Sequence, residues 1–112
     1  MAEAHADIQA CDAAVTLAFS VLGKRWNGMI VSALGNGSST FVALRRAVVG
    51  ISDTVLSERL TELADTGLVA RTVDAGPPVT VSYALTAGGS GLLPILDQLG
   101  SWASATLERR TP

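Results

Sequence analysis

The period of the apolar positions changes along the chain, and each change marks an element. Cys11, Val15, Ala18, Phe19 and Leu22 recur at helical spacing up to Gly23. Trp26, Met29, Ile30, Ala33 and Leu34 repeat the pattern up to "GNGSS". Phe41, Leu44 and Val48 predict a short third helix with Thr40 at its N-cap. Gly50 permits a tight turn, Ile51 plugs the core, and Ser52 or Asp53 caps a fourth helix. On that helix Leu56, Leu60 and Leu63 share one face, with Thr54, Ser57, Glu58 and Thr61 opposite. Gly67 supplies a left-handed stop. The period then falls to two. "LVARTV" and "VTVSYAL" read as a two-stranded hairpin around "DAGPP", whose prolines cannot extend a ladder. Thr86 is expected to cap a last helix. Its apolar stripe of Leu92, Ile95, Leu96, Leu99, Trp102 and Ala103 is wider than one small domain needs, and Pro94 is placed to bend its first turns.

A short helix, a glycine turn, a second helix and a hairpin make a winged helix-turn-helix, mainly α with a two-stranded β wing. Residues 1–10 read as a flexible tail and 11–112 as one domain. The steep angle between the paired helices lets the second lie in a DNA major groove. A groove-reading helix needs one apolar face for the core and, on the other, side chains short enough to approach base edges. Thr54, Ser57 and Thr61 fit, since hydroxyls both donate and accept and a threonine methyl can meet a thymine methyl. The helix start, Ser52 and Asp53, offers unpaired N–H groups to a phosphate. The plainer reading is a solvated face, and Glu58, Glu62 and Asp65, which repel phosphates, favour it. The order of elements favours nucleic acid.

Bulk properties narrow the picture. The chain has 112 residues, 48% of them hydrophobic and 16% charged, which suits a single domain with a large shared apolar surface. The net charge is −2, so any electropositive surface must be local. Arg45, Arg46, Arg59 and Arg71 are the candidates for phosphate contact, and their convergence beside the fourth helix would support DNA binding. Ala2 to Ala10 lacks the apolar core of a secretory signal, and no apolar run reaches membrane-spanning length, so a cytoplasmic protein with no membrane partner is expected.

Little points to catalysis. No Ser-His-Asp set, metal-ligand spacing or cofactor fingerprint occurs, so neither enzyme chemistry, metal nor cofactor is expected. "GGSG" at Gly88 to Gly91 lacks the Lys-Ser/Thr ending of a phosphate loop. Cys11 is the single cysteine, so no intrachain disulfide can form. It shares a face with Val15, Phe19 and Leu22, which is the setting of a buried structural thiol.

The stretches "LGKRWNGMIVSAL", "TFVALRRAVVGISDTVLSERLTELADTGLVAR" and "PPVTVSYALTAGGSGLLPIL" followed by Trp102 occur in that order. Together they resemble the HxlR-type winged helix-turn-helix regulators from about Cys11 to Trp102. The resemblance implies a bacterial transcription factor that binds palindromic operators as a homodimer, with the first and last helices in contact. It therefore implies double-stranded DNA and a second copy of the chain as partners. Val15, Phe19, Leu22, Leu96, Leu99 and Trp102 become the dimer surface, and Cys11 takes the place of an oxidant-sensing thiol. Two features depart from the family: Thr40 stands where a basic residue is common, and the wing tip holds Asp74 and no basic residue. The reading is a homodimeric repressor with a redox or small-molecule effector. Its rivals are a regulator that binds a ligand between the dimer helices and the winged core, with Cys11 inert, and a winged-helix protein-interaction module without DNA binding.

Overall fold

The computed structural model of the chain describes the backbone of residues 2–107 and the side chains of residues 12–107. Helix α1 spans Ala2–Leu22, α2 Asn27–Leu34, α3 Phe41–Ala47 and α4 Asp53–Asp65, with a two-residue strand β1, Ser39–Thr40, leading into α3. Strands β2, Val69–Asp74, and β3, Thr80–Leu85, form the wing. The short α5, Ala87–Ser90, and α6, Leu93–Thr106, close the described chain.

The core is where the helical periodicities meet. Ile30, Val31 and Leu34 of α2 pack with Leu44 and Val48, with Ile51 of the turn, with Leu56, Leu60 and Leu63 of α4, and with Val69. Each such side chain contributes about 1.5–3 kcal/mol on burial. This single cluster therefore fixes α4 against α2 and α3 and leaves its hydroxyl face outside.

Capping sets the helix boundaries. The Thr40 hydroxyl accepts from Ala43 N–H at 3.2 Å, and the Ser52 hydroxyl accepts from Val55 N–H at 3.1 Å, so of the two residues expected to cap α4 it is Ser52 that does so. At the other end of α4, Gly67 adopts φ +82°. Its N–H donates to Ala64 O, and Leu68 N–H donates to Leu63 O, both at 3.0 Å. This pair of bonds satisfies the last carbonyls and turns the chain straight into β2.

The structure differs from the sequence expectation in four places. The sheet is three-stranded and antiparallel, in the order β1-β3-β2, with Ser39 opposite Tyr83 and Thr40 opposite Ser82. Two residues are too few to leave an alternating pattern. The expected last helix is two: Thr86 caps α5 through Gly89 N–H at 3.1 Å, and α6 starts separately at Leu93. Pro94 sits in the first turn of α6, where a missing N–H costs nothing, rather than at a bend. Finally, helical backbone runs back to Ala2, across the stretch read as a tail.

Candidate nucleic-acid interface

Helices α3 and α4 are joined by Val48 to Ser52, and the turn depends on Gly50 at φ +96°. A side chain there would be strained, since φ is positive, and would also approach the Trp26 indole at 3.4 Å. Trp26 itself is left-handed, at φ 85°, and the Arg25 guanidinium lies 4.5 Å from its ring centroid. The corner between α1 and α2 thus stands behind the turn that orients α4.

With its apolar face in the core, α4 exposes Asp53, Thr54, Ser57, Glu58 and Thr61, and its cap Ser52 is exposed too. The Thr61 hydroxyl donates to the Ser57 carbonyl at 3.0 Å, which leaves its oxygen free to accept. Ser57, Leu60, Thr61, Ala64 and Asp65 form one wall of a cleft of about 370 Å³, and Arg71 and Tyr83 of the wing form the other. Cross-strand pairing sets that second wall, because Arg71 and Tyr83 are opposite one another in the β2–β3 ladder.

The arginines have different fates. Arg46 and Arg71 are exposed, and neither has an ion-pair or hydrogen-bond partner for its side chain among the described residues. Arg45 reaches across the turn, its Nη1 donating to Asp53 Oδ1 at 3.1 Å and Oδ2 at 3.3 Å. Arg59 stands about 200° around the helix from Ser57, at ~100° per residue. There its Nη1 donates to Glu62 Oε2 at 2.8 Å. Lys24 Nζ donates to the same oxygen at 3.0 Å. The Lys24 ammonium, and after it the Arg59 guanidinium, hold the Glu62 carboxyl below its ordinary range. Glu62 is therefore a tie between α4 and the α1–α2 corner, and Arg59 supports it from within α4, on a different face from the hydroxyls. The four arginines do not form one patch: Arg71 lines the hydroxyl cleft, Arg45 and Arg46 stand in the last turn of α3, and Arg59 turns away.

A family model described as HxlR-like helix-turn-helix matches residues 21–111. The chain belongs to that HxlR-like family. Its HxlR-like sequence is 42% identical over 91 residues to the uncharacterized HTH-type transcriptional regulator YvaP of Bacillus subtilis, covering 81% of this chain and 84% of the relative. It is 40% identical over 91 residues to the HTH-type transcriptional regulator YodB of the same organism, covering 81% of each. The reduced form of YodB superposes with a TM-score of 0.77 at 38% identity, over 84% of this chain and 92% of that one. YodB has also been solved diamide-treated and quinone-bound. The redox regulator HypR in its oxidized form superposes with a TM-score of 0.76 at 32% identity, over 82% of this chain and 95% of that one. The HxlR-like relatives named here are transcriptional regulators.

The HxlR-like chain presents its expected dimer residues in two ways. Val15, Phe19, Leu99 and Trp102 are exposed, while Leu96 packs against the core and Leu22 lines a second, apolar cleft. That cleft, about 380 Å³, lies between Ala18, Val21 and Leu22 of α1 and Leu68, Gly88, Gly91, Leu92 and Ile95. Cys11 belongs to α1 by its backbone, and its side chain lies outside the described residues. At the wing tip the Asp74 carboxylate accepts from Gly76 N–H at 3.1 Å, so its charge serves the turn. Among the described residues no group of acidic, histidine or cysteine side chains could hold a metal ion, and no helix is long and apolar enough to cross a membrane.

Sequence reasoning missed three participants. Tyr83 becomes visible only once the hairpin register sets it opposite Arg71. Glu62 read as one more repelling carboxylate, yet it is neutralised by two cations. The Arg45–Asp53 pair crosses a turn between residues eight apart, a separation with no periodic signature.

Proposed function

We propose that the chain is a DNA-binding transcriptional repressor, working in the cytoplasm, that reads a pseudo-palindromic operator as a homodimer. The observation that carries this is α4: its leucines are locked into the core, while Ser52, Thr54, Ser57 and Thr61 face outward beside a cleft closed by Arg71. Hydroxyls this short can reach base edges. Arg46 and Thr40 would contact backbone phosphates at the edge of the groove. Exposed α1 and α6 side chains, Val15, Phe19, Leu99 and Trp102, would meet a second copy and set the spacing of the two α4 helices. Cys11, on α1, would carry an oxidant signal into that contact, a reading supported by similarity to the redox regulators above.

The test is fluorescence anisotropy with the duplex flanking the chain's own gene against a random duplex, across salt concentrations. Specific binding that weakens steeply with salt is expected. Arg46→Ala should weaken binding to both duplexes, whereas Ser57→Ala or Thr61→Ala should change base preference. No binding of the flanking duplex at low salt would refute the proposal. One observation favours a second reading of the input alone: the apolar cleft between α1 and α6 is of a size that takes a small molecule, with Cys11 then inert. Cys11→Ser separates the two, since it abolishes a thiol response and leaves a ligand response intact.

A further inference from the structure

Asp53 is the first residue of α4, and its carboxylate has one side-chain partner among the described residues, Arg45. It is not needed as the cap, because Ser52 already accepts from Val55 N–H. Nor is the pair a strong brace. The side chains of Arg45 and Asp53 are 43% and 61% exposed, and ion pairs so open to water add little to stability. The acidic residue does have a marked electrostatic position. It occupies the start of a 13-residue helix, where free N–H groups attract an anion, and it occupies the guanidinium that would otherwise meet a phosphate. One carboxylate therefore competes twice with the DNA backbone. Arg46, next in sequence and exposed, is not held in this way.

We infer that Asp53 is a specificity-determining residue, an internal stand-in for phosphate that holds Arg45 and thereby suppresses sequence-independent binding. Backbone attraction carries nearly all non-specific affinity, so withholding one cation lowers it wherever the protein lands. At the right sequence, base contacts by α4 seat the helix and bring a phosphate close enough to displace the carboxylate. At the wrong sequence Arg45 stays with Asp53. This rests on the DNA-binding reading above and gives the two neighbouring arginines unequal roles: Arg46 grips any DNA, and Arg45 engages only on release.

The experiment measures binding of the parent, Asp53→Asn, Asp53→Ser, Arg45→Ala, Arg46→Ala and the double variants of each arginine with Asp53→Asn to the flanking and random duplexes across salt. Thermal melting confirms that each is folded. Asp53→Asn should tighten binding to random duplex by about five-fold per recognition helix, the scale of one exposed ionic contact. Its salt dependence should steepen by about 0.9 per added phosphate contact. The gain should disappear in the Arg45→Ala background, and the ratio of flanking to random affinity should fall. In the parent, Arg46→Ala should cost more random-duplex affinity than Arg45→Ala, and in Asp53→Asn the two costs should become equal. The inference is overturned if both Asp53 variants bind random duplex as the parent does, or if they tighten it equally without Arg45. A parent that binds no DNA at all at low salt instead overturns the DNA-binding reading, and this inference with it.

Discussion

Replacing Leu99 by Glu tests the proposed dimer most directly. Helix α6 is 14 residues long and has no buried residue, yet Ile95, Leu99 and Trp102 line up on one side at a helical spacing. Leu99 is 45% exposed and Trp102 55% exposed. Covering the rest of Leu99 is worth about 1 kcal/mol, given ~1.5–3 kcal/mol for a whole side chain. A twofold interface contains it twice, so about 2 kcal/mol is lost with the two leucines. Two carboxylates without partners in the same seam add at least ~1–3 kcal/mol each. The sum exceeds about 4 kcal/mol, which raises the dissociation constant about a thousandfold. Because Leu99 is outside the core, the variant should fold, with unchanged helical circular dichroism. Sedimentation velocity over a range of loading concentrations reads the result: the parent at twice the 11.5 kDa chain mass, the variant at the chain mass. A variant that sediments with the parent at every concentration refutes the reasoning, as does a parent that stays monomeric at high micromolar concentration.

Ser52→Ala removes the cap of α4 and should cost about 1 kcal/mol, visible as a urea midpoint lower by roughly half a molar unit. Glu62 has a lowered folded-state pKa, so the unfolded chain takes up its proton first on acidification. Its contribution is complete at neutral pH and is lost as pH falls through and below the ordinary carboxylate range. Glu62→Gln should accordingly melt lower than the parent at neutral pH, and the two melting curves should converge in acid. Cys11→Ser should keep operator binding in reducing buffer and lose any response to diamide or peroxide; a variant that still responds would make the thiol a bystander.

Much of this protein is legible in its sequence, because local chemistry decides it. Threonine and serine at Thr40 and Ser52 mark helix starts through bonds that close within three residues. Gly67 marks a stop because a left-handed residue is needed there, and the leucines of α4 fall on one face by helical geometry alone. The two wing strands announce themselves by alternation. Contacts between residues far apart left no such mark. The strand Ser39–Thr40 exists only because β3 lies beside it. Arg45, Arg46, Arg59 and Arg71 looked equivalent as candidate phosphate contacts, but tertiary structure gave Arg45 to Asp53, brought Lys24 onto Glu62, the (i,i+3) partner of Arg59, and left Arg46 and Arg71 open. The reason is physical: hydrophobic period and capping act over one or two helical turns, whereas a charge finds its partner through space, and the nearest opposite charge is chosen only when the helices have packed.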